Sequence, residues 1–210
     1  MAVLNIGGMS NLTVLHADLR TIGFDCGPGN ALMDLWSRRH LGKAFDADGG
    51  WAASGQVDEV LLARFQTEPY FSAAPPKSTG RDRFNAEWLQ GHLTRLPSHR
   101  PLAAADVQAT LLELTARVCS DDVQRHAAAA ERVLVCGGGA RNGRLMQTLG
   151  DHLPGRRVEP SDAAGLPANQ VEAVAFAWLA RACLLRLPGN LATVTGARGP
   201  RVLGAIYPAA

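Results

Sequence analysis

The 210-residue chain predicts an α/β lobe, a mixed five-stranded sheet with helices on both faces. Three observations lead there: three short apolar runs crowd the start of the chain, two further runs alternate with helix-like segments later, and glycine turns follow the runs. Runs so closely spaced must pair antiparallel, because a parallel crossover takes a dozen or more residues. The later strand-helix units are long enough for right-handed crossovers, which place them parallel in the same sheet.

Taken in order, residues 3–6, 12–16 and 21–24 read as strands, with Gly7-Gly8 and Ala17-Asp18 at the turns. After Gly27-Pro28-Gly29, Asn30 is placed to cap a helix whose apolar residues Leu32, Met33, Leu35, Trp36 and Leu41 recur at helical spacing. Gly42 is placed to end it. A loop-rich middle follows, with a helix from about residue 54 to 65 between Phe45–Gly50 loop residues and the segment Pro75-Pro76-Lys77-Ser78-Thr79-Gly80-Arg81. Val107, Leu111, Leu114 and Val118 mark one face of a long helix from Ala105 toward Ala130. Residues 132–136 form a buried strand, 142–149 a helix and 157–159 a short strand. The last helix, 168–186, is apolar nearly all round, which predicts packing in the interior, and Pro188-Gly189 ends it.

Composition narrows the function. The 21 basic and 19 acidic residues are mixed along the chain with no basic block, which argues against nucleic acid as a partner. Cys26, Cys119, Cys136 and Cys183 show no C-x-x-C spacing and no histidine at zinc-finger distance, so they read as reduced thiols in a cytoplasmic protein, and no metal ligands are assigned. The most apolar stretch, 171–187, contains Glu172, Arg181 and Arg186, too charged to cross a bilayer.

Chemistry concentrates at the glycine turns. Backbone approaches a phosphate closely only where side chains are absent, and glycine amides then act as fixed donors. Gly7-Gly8 and Gly137-Gly138-Gly139 each follow a strand, with Gly27-Pro28-Gly29 between them, which suggests a site that grips a polyphosphate at several points. The second turn precedes a helix, putting a helix N-terminus beside the anion; a bare strand-to-helix turn is the plainer alternative. A Rossmann reading is open too, since Glu159 follows Gly137-x-Gly139 by about twenty residues, although Asn142 stands where the third glycine belongs. Asp25, at the end of the third strand, is either a general base facing the cleft or a cap for the next turn. Asp34 lies either behind the site or on plain helix surface.

Other motifs are weaker. Asp46-x-Asp48-Gly49 begins like a calcium loop but lacks the later acidic ligand. Lys77-Ser78 lacks the upstream glycines of a P-loop; Lys77 and Arg81 either neutralise a phosphate or an acidic sugar substituent, or belong to a solvated loop. Gly8-x-Ser10 lacks the final glycine of a nucleophile elbow. Glu172 opens the apolar helix, where it favours the dipole and can point into the site.

The set Leu4-Asn5-Ile6-Gly7-Gly8-x-x-Asn11, Asp25-Cys26-Gly27-Pro28-Gly29-Asn30, Pro76-Lys77-Ser78-Thr79-Gly80-Arg81, Cys136-Gly137-Gly138-Gly139-Ala140 with Asn142, and Glu172-Ala173 with Phe176-Ala177-Trp178 resembles the anhydro-N-acetylmuramic acid kinase family through nearly the whole chain. The resemblance implies an actin-like ATPase (ribonuclease H-like) lobe, the C-terminal one of two that close on ATP and magnesium, with the N-terminal lobe, holding the first phosphate turn, outside residues 1–210. It further implies that Asn5, Gly7, Gly8 and Asn11 form the second phosphate turn and Gly137, Gly138, Gly139 and Asn142 the adenosine-side motif. Asp25 is then the base that activates water, and Gly27, Gly29, Asn30, Lys77 and Glu172 face the sugar. The implied reaction opens the 1,6-anhydro bond of anhydro-N-acetylmuramic acid and phosphorylates O6, in the cytoplasm, as part of peptidoglycan recycling. A half-cleft exposed in this way would favour a homodimer. A Rossmann-type oxidoreductase and a non-catalytic nucleotide-binding or assembly module are the alternatives.

Overall fold

A computed structural model of the chain describes residues 1–16, 18, 20–96 and 102–207. Five strands form one sheet: β1 (Ala2–Ile6), β2 (Met9–Leu15), β3 (Thr21–Pro28), β4 (Arg132–Cys136) and β5 (Arg157–Pro160), in the order β3-β2-β1-β4-β5. The first three make the expected antiparallel meander, and β4 and β5 join β1 in parallel. The Gly7-Gly8 turn is closed by the Gly7 N–H donating to the Met9 carbonyl at 3.1 Å. Of the Ala17-Asp18 turn, Ala17 lies outside the described residues.

Among the described residues there are eight α-helices: α1 (Ala31–Leu41), α2 (Gly50–Ala53), α3 (Glu59–Gln66), α4 (Ala86–Thr94), α5 (Ala104–His126), α6 (Gly143–His152), α7 (Val171–Leu184) and α8 (Ala192–Thr195), of which α5, α6 and α8 pack on the sheet. The organising helix is α5, whose Val107, Leu111, Leu114 and Val118 are buried against β2, β3, α1, α3 and α6. Alternation along the strands does the rest. Ala2, Leu4, Ile6, Leu12, Val14 and Phe24 enter this core, which turns Val3, Asn5, Asn11, Thr13 and Asp25 to the other face. That second face carries α8, whose Val194 fills the space a side chain at Gly23 would need.

Several local expectations are corrected. The helix expected from about residue 54 to 65 starts only at Glu59, because Asp58 takes an extended backbone and caps it, accepting from the Leu61 N–H at 2.8 Å, while α2 ends before the span at Ala53. α4 was not foreseen, although Asn85 marks it by accepting from the N–H groups of Glu87 and Trp88. Gly42 ends α1 in the left-handed conformation, but Asn30 does not cap it: its amide is spent on the Ile6 carbonyl. α5 stops at His126 rather than near Ala130.

The largest correction concerns α7. Its even apolar coat predicts an interior helix, yet only Ala182 is buried, while Phe176, Trp178 and Leu184 are 53–68% exposed. The core is already filled by α5, and residues 203–206, which run along α7 beside Phe176, Leu179 and Cys183, leave most of its apolar coat exposed. Leu114→Ala should therefore cost about 2–5 kcal/mol in urea unfolding, whereas Phe176→Ser should shift stability by less than about 0.5 kcal/mol. A core-sized loss at Phe176 would show that α7 is covered in the isolated chain.

Candidate active site

The three glycine segments meet at one end of the sheet. The N–H groups of Gly29 and Ala31 donate to the Gly8 carbonyl at 2.9 and 3.1 Å, and that of Asn30 to the Gly7 carbonyl at 2.8 Å. A side chain at Gly29 would collide with the Gly7 carbonyl, so only glycine lets the β3-α1 junction sit on the β1-β2 turn. The third segment is tied in from the other side. Gly137 has φ +79°, and a Cβ there would lie 2.6 Å from Asn5 Oδ1 and 2.7 Å from the Ile6 carbonyl. The Asn30 amide, donating to the Ile6 carbonyl, stands 3.3 Å from where a Gly138 Cβ would be.

Within this cluster the N–H groups of Gly8, Gly138 and Gly139 have no hydrogen-bond acceptor among the described residues. Unpaired backbone donors grouped at neighbouring turns are what an anion requires. The helix N-terminus next to them is already served: Asp48 Oδ1 accepts from the Gly143 N–H at 2.7 Å, and Asn142 Oδ1 accepts from that of Leu145 at 3.0 Å. Asn142 thus caps α6 through Oδ1 while also lining the neighbouring cavity. The free amides lie one turn earlier, and Asn142 works as a cap. The calcium-like Asp46 and Asp48 are caps as well, Asp46 accepting from the N–H groups of Trp51 and Ala52. A cavity of about 290 Å³ opens between these parts, lined by Asn30, Met33, Phe45, Gly138, Arg141 and Asn142, among others.

Beside the turns, register sets up a polar row. Asn5 on β1 is opposite Asn11 on β2, and Asn11 is opposite Asp25 on β3. All three face away from α5. Asp25 is held asymmetrically: Oδ2 accepts from Ser78 Oγ and from the Thr79 N–H, both at 2.9 Å, while Oδ1 has no partner among the described residues. The Asp25 N–H donates to the Lys77 carbonyl at 3.2 Å. Asp25 is therefore no cap for the following turn; the 77–79 segment clamps it and leaves one oxygen open.

Lys77 does something other than either reading of its loop. Its ammonium is buried, 3.3 Å from Asp122 Oδ2, with the rings of Phe24 and Tyr70 5.4 and 5.1 Å away. Burial raises the Asp122 carboxyl above its ordinary value, with the ammonium pulling the other way. The pair lies on the core side of β3 and anchors the clamp, with the Lys77 side chain only 4% exposed. The loop's exposed cation is Arg81, whose guanidinium rests on Gly8.

The remaining candidates separate. Gly27 is buried, with the Phe71 ring where its side chain would be, and Gly29 packs on Gly7; both shape the backbone and neither offers an open face. Glu172 is exposed in the first turn of α7, with no hydrogen bond or ion pair among the described residues. Asp34 is half-buried beside the site, which raises its carboxyl against the pull of Arg38 and Arg81. Ser10 is fully buried and donates to the Gly27 carbonyl, which removes it as a nucleophile. Glu159 is paired with Arg132, so it is not free to hold a ribose, and the antiparallel start of the sheet is foreign to a Rossmann domain.

Comparison with known proteins agrees with these motifs. The family model described as anhydro-N-acetylmuramic acid kinase matches residues 1–209. A protein of that name from Cupriavidus pinatubonensis is 61% identical over 98% of this chain and 55% of its own length. One from Variovorax paradoxus is 59% identical over 100% of this chain and 56% of its own. The chain thus spans about half the length of the curated relatives it matches. Among solved structures, the activator of the 2-hydroxyisocaproyl-CoA dehydratase from Clostridium difficile with bound ADPNP aligns at 16% identity, with a TM-score of 0.48, over 80% of this chain and 55% of that one.

Removing one member of a buried ion pair strands the other, at about 3–5 kcal/mol. Asp122→Asn should cost that much in thermal or urea unfolding, and adding Lys77→Met should recover most of it. A double variant no better than Asp122→Asn alone would show that the pair does not act as a unit.

Proposed function

The chain belongs to the anhydro-N-acetylmuramic acid kinase family, and we propose that it forms one lobe of an ATP-dependent kinase that opens the 1,6-anhydro bond of that sugar and phosphorylates O6. The observation that carries this reading is Asp25, whose one free carboxylate oxygen stands in the same row as Asn11 and Asn5, next to the glycine turns.

Asp25 Oδ1 takes a proton from water as the water oxygen bonds to the anomeric carbon. The bond from that carbon to O6 breaks, and O6 attacks the terminal phosphorus, which leaves the bridging oxygen of ADP. One proton, held on Asp25, balances the step. The clamp from Ser78 and the Thr79 N–H keeps the second oxygen engaged, so that the free one is oriented. Gly8, Gly138 and Gly139 supply unpaired N–H donors for the phosphates, Asn5 and Asn11 stand in the row with Asp25 beside them, and Asn30 and Asn142 line the cavity. Glu172 is the exposed carboxylate we assign to the sugar side.

Magnesium fits this site only as a passenger of the phosphates. Among the described residues no three His, Cys, Asp or Glu side chains are grouped to hold a cation, and magnesium commonly binds through substrate phosphates and water with one or two carboxylates. When bound it would neutralise charge on the transferred group.

Two further features enter the proposal. The relatives' additional length and the exposed apolar residues of α7 support a second lobe, the N-terminal one, as partner; a homodimer is the other arrangement that would cover them. A supply of ATP places the reaction in the cytoplasm; no helix among the described residues is long and apolar enough to cross a membrane.

The test is ADP release with ATP, magnesium and the anhydro sugar, from the chain supplemented with the remaining segment of the Cupriavidus pinatubonensis relative. Asp25→Asn should lower turnover by roughly 10²–10⁴ while nucleotide binding is kept. Turnover unchanged in Asp25→Asn would remove the residue from the chemistry, and the absence of sugar-dependent ADP release would overturn the kinase reading.

A further inference from the structure

Arg81 stands against the Gly7-Gly8 turn, where the proposed phosphates would lie. A Cβ built on Gly8 would be 3.0 Å from its Nη2, 3.5 Å from Nε and 3.7 Å from Cζ, so the guanidinium turns its Nε–Nη2 edge toward the turn. It is exposed, and it makes no hydrogen bond or ion pair among the described residues. Two residues earlier, the same loop holds Asp25 through Thr79. One short segment therefore spans from the base to the phosphate turn.

A second observation lies behind it. A cavity of about 420 Å³ between α1 and this loop is lined by Arg81, Arg38, Arg39, Asn85 and Asp34, among others. Arg39 donates to Gln90 Oε1, and Arg38 makes a long contact of 3.4 Å to the Ala44 carbonyl. Three arginines and one carboxyl line it, so the lining carries more basic than acidic residues. Asp34 is itself half-buried, which favours its neutral form.

We propose that Arg81, backed by Arg38 and Arg39, binds the terminal phosphoryl group of the nucleotide over the Gly7-Gly8 turn. This rests on the kinase reading and adds a residue to it. Glycine at position 8 then has a second purpose, since a side chain there would push the guanidinium off the turn. A planar guanidinium with unused donors suits phosphate oxygens, and charge-assisted bonds of this kind are about twice as strong as neutral ones.

The test is calorimetric titration of the 210-residue chain with ATP, ADP and AMP in magnesium, beside Arg81→Gln and Arg81→Lys, with thermal melts of each. The unsubstituted chain should bind ATP more tightly than ADP. Arg81→Gln should weaken ATP by about tenfold or more and leave ADP within about twofold, while Arg81→Lys falls between. An ATP-to-ADP ratio kept in Arg81→Gln would overturn the proposal and leave the kinase reading standing. No nucleotide binding by the unsubstituted chain, with the remaining segment of the relative added, would overturn both. A parallel titration with N-acetylmuramic acid and N-acetylglucosamine covers the other anion, a sugar carboxylate: loss of the acid's binding in Arg81→Gln with ATP unaffected would also overturn the assignment.

Discussion

Three backbone hydrogen bonds hold the site together. Gly29, Asn30 and Ala31 donate into the carbonyls of Gly7 and Gly8, and this clasp fixes the start of α1 to the tip of the first hairpin. Everything near the hollow is referenced to it. Asn30 reaches from the clasp to the Ile6 carbonyl beside Gly138, so the third glycine segment is positioned by the same few atoms. Because the clasp uses carbonyls, it leaves the Gly8 N–H unpaired. Structure and binding thus draw on different atoms of one turn.

Asp25 depends on a second support, on the opposite face of β3. The buried Lys77–Asp122 pair anchors a loop whose next two residues bond one oxygen of Asp25. A buried ion pair is a costly way to gain stability, but its directionality sets the loop's register against β3. Lys77 and Arg81, four residues apart, have opposite fates: one ammonium is sealed in the core, and one guanidinium stays in the open.

The meander and the two parallel units were legible in the sequence because short apolar runs and turn glycines are local signals. The convergence of the glycine turns was legible for the same reason, since strand ends on one sheet edge must be neighbours. Lys77 was not legible, because nothing local distinguishes a lysine that finds Asp122 45 positions away from one that stays solvated. Asn142 and Asp48 show a related limit: that both cap α6 is not visible in the sequence, because Asp48 reaches the Gly143 N–H from 95 positions away. For α7, an apolar surface announces that it will be covered without saying by what. α4 was missed although Asn85 followed by Glu87 carries a cap's signature.

The central claim is that backbone donors at these turns jointly hold the phosphates of a nucleotide. The most direct measurement is the movement of glycine amide resonances as ATP is titrated into the isotope-labelled chain. Gly8, Gly138 and Gly139 should shift along one common binding curve, while Gly42 and Gly155, which a side chain would leave without contacts, stay still. Saturation elsewhere on the chain with those three amides unmoved would contradict the account.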